Sequence, residues 1–154
     1  MRRFALFLAT CGYVGYAPIA PGTFGSAVGL ALFYVERALG VPPVIELGMI
    51  ALLFGVGIWS AGVAEDELGT DPGPVVLDEV VGMLMTLALL PVNAWGAVAG
   101  FLLFRVLDVV KPWPAGRFER LHGGLGVMAD DAMAGIYGNL AMIGLMRILP
   151  GWFV

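Results

Sequence analysis

Five long apolar stretches, separated by turns with proline, glycine or charged residues, most constrain how this chain can fold. They run over 26–39, 44–64, 75–90, 93–110 and 131–149. A helix needs about 20 mainly apolar residues to cross a bilayer, and the second, fourth and fifth stretches are long enough to do so. The first and third are shorter, so they could be tilted, re-entrant or lodged against their neighbours.

The composition agrees with insertion into a membrane. Hydrophobic residues make up 60% of the chain and charged residues 13%, whereas soluble domains are nearer half apolar and about a quarter charged. We therefore predict an all-α integral membrane helical bundle of about four to five membrane-embedded helices, formed by residues 1–154 as a single domain. The net charge is −4 and no basic run exceeds two residues, which argues against a nucleic-acid partner.

Charged residues gather on one side of this predicted bundle. If all five stretches span, six cations lie on or near one side and two on the other. The six are Arg2, Arg3, Arg105, Lys111, Arg117 and Arg120, and the two are Arg37 and Arg147. The positive-inside rule places the richer side in the cytoplasm. Most acids fall on the same side, so we predict that the polar motifs face the cytoplasm.

Three acidic motifs lie on that side. Asp78 and Glu79 interrupt VVLDEVVGM, Asp108 lies in FRVLDVVKPWP, and Asp130 and Asp131 follow HGGLGVMA. Charges within apolar segments are costly, which favours a functional role for them. Structural alternatives stay open, because acids favour the first turn of a helix and one of the last two aspartates could be the N-cap of the final helix. Capping needs only one aspartate, so the second is surplus.

Two motifs supply candidates for phosphate binding. In FRVLDVVKPWP, Arg105, Asp108 and Lys111 lie on successive turns of one helix face. Arg105 could instead form an ion pair with Asp108, and Lys111 could extend its ammonium group to the membrane interface. In APGTFGS, Thr23 and Ser26 supply hydroxyls beside glycines that allow close approach of the backbone.

The available donor groups favour a hard metal ion. One cysteine, Cys11, and one histidine, His122, exclude an internal disulfide, a cysteine-rich zinc site and a multi-histidine site within one chain. Carboxylates suit Mg²⁺ or Mn²⁺, and cations beside such a metal suit a phosphate ester. The residues therefore suggest metal-assisted phosphoryl chemistry at the depth of the lipid headgroups, with His122 as a candidate acid or base.

Four motifs occur in a fixed order over about residues 15–144: APGTFGS, VVLDEVVGM, FRVLDVVKPWP and HGGLGVMADDAMAG. By these motifs the chain resembles the phosphatidylglycerophosphatase A family. The resemblance implies a Mg²⁺-dependent lipid phosphatase of the bacterial inner membrane. It would convert its phospholipid substrate, phosphatidylglycerophosphate, to phosphatidylglycerol by removing the terminal phosphate, with the active site facing the cytoplasm.

The resemblance also assigns roles to individual residues. Metal binding and catalysis fall to the acidic motif positions Asp78, Glu79, Asp108, Asp130 and Asp131. Phosphate binding falls to Arg105 and Lys111, to which the residues themselves add Thr23 and Ser26. Glu119 stands where the family usually has an aspartate, which makes that position a weak candidate. An alternative class is a membrane cation channel or transporter, but that would place acids near the midplane of several spans.

Overall fold

The computed structural model describes residues 1–70, 72–113, 115–118, 121, 123–149 and 151–154. These residues form helices joined by turns, and no strand occurs among them. In chain order the helices are α1 (Arg2–Ala9), α2 (Pro21–Ala38), α3 (Pro43–Leu68), α4 (Leu77–Leu87), α5 (Ala94–Val110), α6 (Ala115–Phe118) and α7 (Gly124–Ile148), with a short 3-10 helix, Val14–Tyr16, between α1 and α2. The predicted all-helical class is confirmed for the described residues.

Two helices begin well before the apolar stretches that predicted them. Helix α2 starts at Pro21, where proline suits the first helical position because its φ angle is already helical. Helix α7 starts at Gly124, and its N-cap is Gly123 with a φ of 77°. The structural alternative in which Asp130 or Asp131 caps this helix is therefore excluded. Apolarity does not reveal these first turns, because they are rich in glycine and small residues.

Helix α4 is short and lies in the core. Its 11 residues, eight of them buried, span about 16 Å, well under the thickness of a hydrocarbon core of about 30 Å. The amide of Asn139 donates to the carbonyls of Thr86 and Ala88 at 3.2 and 3.0 Å. The amide N–H of Leu89 donates to Glu46 at 3.1 Å. The end of α4 thus finds hydrogen-bond partners inside the protein.

Glycines let the surrounding helices approach α4 closely. A Cβ atom at Gly29 of α2 would lie 2.7 Å from the carbonyl oxygen of Val80 and 2.8 Å from the Cβ of Met83. A Cβ at Gly135 of α7 would lie 2.6 Å from the carbonyl oxygen of Gly82. Small residues at such contacts are typical of packed membrane helices. These contacts hold α4 against α2 and α7, and the first turn of α4 carries Asp78 and Glu79.

Within the described ranges, α3 alone is both long and apolar enough to cross a membrane, with a mean hydropathy of 2.0. This is consistent with a membrane location. The other long helices fall short in length or carry more polar residues; α5, for example, has 17 residues. A bundle of four to five membrane-embedded helices therefore stays a prediction.

Candidate active site

A cavity of about 250 Å³ lies where the first turns of α2 and α4 meet the end of α5 and the first half of α7. It is lined by Pro21, Gly22, Pro72, Gly73, Val75, Asp78, Glu79, Asp108, Lys111, Val127, Asp130 and Asp131. The five carboxylates chosen from the sequence thus share one cavity with Lys111, although the first and the last of them, Asp78 and Asp131, are 53 positions apart in the chain.

Three of the carboxylates converge most closely. Asp78, Glu79 and Asp131 each offer one oxygen atom, and these three oxygens lie within 4.8 Å of one another. Asp78 and Glu79 are neighbours on α4, so their side chains diverge by about 100° around the helix and approach a common point from two sides. Asp131 reaches that point from α7. Asp108 of α5 lies beside both Glu79 and Asp131.

The cavity contains buried oxygens that lack a hydrogen-bond partner within the part of the chain that the structure describes. They are Asp78 Oδ1, Glu79 Oε2, Asp130 Oδ1 and Asp131 Oδ2. Burying several carboxylates without compensation is costly, both from loss of hydration and from mutual repulsion. A divalent cation would remove both costs. The donor set consists of hard oxygen atoms, which fits a metal such as Mg²⁺ or Mn²⁺.

The two predicted cations are paired with acids at the cavity. Arg105 Nη1 donates to Asp108 Oδ2 at 2.6 Å and lies 3.5 Å from Ser26 Oγ. Lys111 Nζ donates to Asp130 Oδ2, also at 2.6 Å. Lys111 terminates α5 in the left-handed conformation, with a φ of 45°, and Pro112 after it cannot continue the helix. Lys111 lines the cavity, whereas Arg105 stands beside it.

The two hydroxyl candidates for phosphate binding, Thr23 and Ser26, are placed differently from the carboxylates and Lys111, which line the cavity. The Ser26 side chain is fully buried, and its Oγ donates to the carbonyl oxygen of Gly22 at 2.8 Å. Gly22 of this motif lines the cavity together with Pro21, and the described lining does not include Thr23 or Ser26. The acid–base candidate His122 lies outside the described residues, as do Glu119 and Arg120.

Gly22 was not chosen from the sequence, although its motif was. A Cβ at this position would overlap Glu79 Oε1 and would lie 3.1 Å from Arg105 Nη1. The signal available in the sequence was a Pro-Gly pair before a helix, which indicates a helix start but not what the glycine faces. Only the packing of α2 on α4 shows that this position needs the smallest residue.

We expect Gly22→Ala to lower phosphate release about tenfold or more while the protein stays folded. The added methyl meets the far end of the Glu79 side chain, which can move, but a shift of about 1 Å at a catalytic group can cost up to about a hundredfold in rate. Gly73→Ala is the matched control, because Gly73 also lines the cavity and its Cβ would meet no atom within 4 Å. Equal rates for the two variants would contradict this placement of Gly22.

Cys11 is not suited to act as a nucleophile. It lies in the turn after α1, half-buried against the core. Burial, together with the nearby carboxylate of Glu79, raises the pKa of its thiol to about 12. A thiol with such a pKa stays protonated at neutral pH, and the reactive form is the thiolate. The carboxylates and cations that line or adjoin the cavity are therefore better candidates for catalysis than Cys11.

Comparisons with known proteins agree with the motifs. The sequence model of the phosphatidylglycerophosphatase A family matches residues 7–146. Phosphatidylglycerophosphatase A of Escherichia coli K12 is 40% identical over 125 residues, which cover 79% of this chain and 72% of the relative. The Haemophilus influenzae Rd protein of the same name is 38% identical over 130 residues, which cover 82% of this chain and 78% of the relative.

A third relative carries a different name. A Bacteroides thetaiotaomicron protein, provisionally named phosphatidylinositol-3-phosphatase, is 38% identical over 144 residues, which cover 89% of both chains. No solved structure matches the chain. Because the family match covers nearly the whole chain, and because two relatives of the same name share about two fifths of the aligned residues, the chain belongs to the phosphatidylglycerophosphatase A family.

Proposed function

We propose that this protein is a Mg²⁺-dependent membrane phosphatase that removes the terminal phosphate of phosphatidylglycerophosphate to give phosphatidylglycerol. The observation that carries the proposal is the convergence of Asp78, Glu79 and Asp131 at a cavity that also holds Asp108 and Lys111. The names of two relatives support the choice of substrate.

The residues of the cavity divide into two groups by charge. Asp78, Glu79 and Asp131, with Asp108 and Asp130 beside them, would hold one or two Mg²⁺ ions. Such a metal would supply Lewis-acid activation of the phosphate ester and of the attacking water. Lys111, held at the cavity by Asp130, would bind the phosphate and stabilise the charge that its equatorial oxygens gain during transfer.

Arg105 acts through its neighbours in this proposal. Its ion pair with Asp108 fixes the carboxylate on the last turns of α5, and its position beside Gly22 adds positive charge near the cavity. The first turns of α2 and α4 also point toward the cavity, and the N-terminal ends of helices favour anions. A phosphomonoester is therefore complementary to the cations and helix ends on one side and to a bound metal on the other.

The membrane arrangement follows from α3 and from the charges. We infer that α3 spans the inner membrane, that α2, α5 and α7 are embedded beside it, and that α4 is enclosed by them. Arg2, Arg3, Lys111 and Arg117 all belong to the end of the bundle that holds the cavity. By the positive-inside rule, this distribution of cations supports a cavity that faces the cytoplasm.

The arrangement gives less support to a cation pathway. A second acidic pair, Glu36 and Glu46, is buried near the other end of α4, where Glu46 also pairs with Arg37 at 3.3 Å. Between the two ends, α4 presents Val80, Val81, Met83 and Leu84, which are at most 1% exposed. Apolar packing thus separates the two polar regions.

Phosphate release from phosphatidylglycerophosphate by the purified protein in detergent tests the proposal. We expect release with Mg²⁺, none after removal of metal with EDTA, and recovery when Mg²⁺ is restored. Phosphatidylinositol 3-phosphate serves as the comparison substrate, because one relative carries that name. Faster hydrolysis of the inositol lipid would overturn the headgroup assignment and leave the phosphatase class intact, and no release from either lipid with any divalent cation would overturn both.

A further inference from the structure

An exposed row of aromatic side chains follows α1. The rings of Phe7 and Tyr13 meet edge to face, with centroids 5.6 Å apart, and the rings of Tyr13 and Tyr16 are 6.1 Å apart. These three side chains, which we call the aromatic row, are 44%, 58% and 52% exposed. Large aromatic rings that contact one another and remain exposed mark an interaction surface.

The contacts of α1 show at which level of the bundle this row lies. Arg2 at the start of α1 pairs with Glu67 near the end of α3 at 2.9 Å. Ala9 at the end of α1 packs in a cluster with Ala61 and Ala64, one to two turns back along α3. Helix α1 therefore runs antiparallel to the end of the helix that we take to span the membrane, and the aromatic row lies inward of Arg2.

The same segment is attached to the wall of the cavity. The carbonyl oxygen of Ala9 accepts a hydrogen bond from the amide of Val76 at 2.9 Å, two residues before Asp78. The 3-10 helix packs so closely that a Cβ at Gly15 would overlap the carbonyl of Pro74. The chain after Tyr16 is largely exposed, including Ile19 at 78%, and ends at Pro21 on the cavity wall. The aromatic row thus adjoins the mouth of the cavity.

The chemistry of this surface fits a phospholipid. Tyrosine is enriched at the level where acyl chains meet headgroups, because its ring is apolar and its hydroxyl is polar. Arg2 and Arg3 are exposed at the outer end of α1, where they complement lipid phosphates. An amphipathic helix with cations at its outer end and aromatic residues further in is typical of segments that lie at a bilayer surface.

We propose that the aromatic row is a docking surface for a phospholipid at the mouth of the active site. The acyl-glycerol part of the lipid rests on Phe7, Tyr13 and Tyr16 while its phosphate reaches the cavity. The catalytic part of this inference rests on the proposed function, since it treats the docked lipid as the substrate. The surface would raise the affinity for membrane-embedded substrate without taking part in the chemical step.

Kinetics with two substrates test the catalytic part. In the double variant Tyr13→Ser/Tyr16→Ser we expect the KM for long-chain phosphatidylglycerophosphate in mixed micelles to rise about tenfold. The lipid would lose its apolar contact with two aromatic rings. The kcat, and all constants for a water-soluble short-chain analogue, should stay unchanged. Tyr34→Ser is the control, because Tyr34 is 44% exposed on α2 away from the cavity. Equal rises of KM for both substrates, or no rise, would overturn the docking role.

Spin labelling in vesicles tests the contact with lipid without measuring activity. A nitroxide at Tyr16→Cys, in a Cys11→Ala background, should be relaxed more by lipid-soluble oxygen than by a water-soluble nickel complex. A label at Asp66→Cys, exposed near the end of α3, should show the reverse. If the label at residue 16 were relaxed mainly by the nickel complex, like the label at residue 66, the proposal would be overturned. A label at residue 16 that neither agent relaxes would also overturn it, because that result would indicate a protein partner. If wild-type protein hydrolyses neither substrate, the proposed function fails while this measurement still decides the lipid contact.

Discussion

Asp78→Asn and Asp131→Asn are each expected to lower kcat for phosphatidylglycerophosphate by about 10³-fold or more. Removal of a single group that stabilises charge in a transition state lowers kcat by about 10²- to 10³-fold in other enzymes. Asparagine keeps the shape of the side chain but removes a charged ligand from a site whose three oxygens lie within 4.8 Å. Phosphate release at saturating lipid and Mg²⁺ measures this loss. Mn²⁺ binding, followed by electron paramagnetic resonance, should weaken in parallel.

The same substitutions should not harm the fold in the absence of metal. Asp78 Oδ1 and Asp131 Oδ2 are buried without hydrogen-bond partners in the described part of the chain, so removing one charge relieves repulsion among neighbouring carboxylates. Thermal stability of the metal-free variants in detergent should therefore equal or exceed that of the wild type. Asp66→Asn, an exposed position near the same end of the bundle, is the matched control and should keep full activity. Near-normal turnover by either site variant would remove that residue from the ligand set, and the same test applies to Asp108→Asn.

Gly29→Leu is expected to prevent normal assembly of the bundle. Even a Cβ atom at this position would lie 2.7 Å from the Val80 carbonyl oxygen and 2.8 Å from the Met83 Cβ, and both partners belong to α4 in the core. Overpacking of a well-packed interior commonly costs about 1–3 kcal/mol per substitution and more where backbone must move. We expect a lower midpoint of thermal unfolding in detergent, a smaller monodisperse fraction, and loss of phosphate release because Asp78 and Glu79 move with α4.

Gly55→Leu provides the control for this prediction. Gly55 is also a glycine within a long helix, α3, but it is exposed and a Cβ there would meet no atom within 4 Å. A leucine at Gly55 should leave stability and activity unchanged, or raise stability slightly because glycine disfavours helix by about 0.5–1 kcal/mol relative to alanine. If Gly29→Leu and Gly55→Leu behaved alike, the close contact between α2 and α4 could not be what positions the first turn of α4.

Much of the helical order could be predicted from apolar stretches. The stretch 44–64 falls within α3, and the stretch 93–110 begins one residue before α5 and ends with it. The agreement arises because a helix in a lipid or buried environment needs a long apolar run. The boundaries of α2 and α7 could not be predicted in this way, since their first turns pack glycines against neighbouring helices and contain few apolar residues. The pattern predicted that the third stretch is short. It did not predict that the helix ends at Leu87, because the Asn139 and Glu46 side chains that satisfy this end come from other helices.

The sequence by itself limited the residue types that are candidates for the chemistry. With one cysteine and one histidine in the chain, carboxylates had to supply any metal site, and the motif order indicated the family. Which carboxylates meet was decided only by the tertiary structure, because Asp131 reaches Asp78 and Glu79 through glycine contacts between α4 and α7. The tertiary structure likewise brought Gly22, and not the Thr23 and Ser26 hydroxyls, to the cavity wall. Sequence spacing fixes neighbours along one helix, whereas distances between helices depend on how closely their backbones can pack.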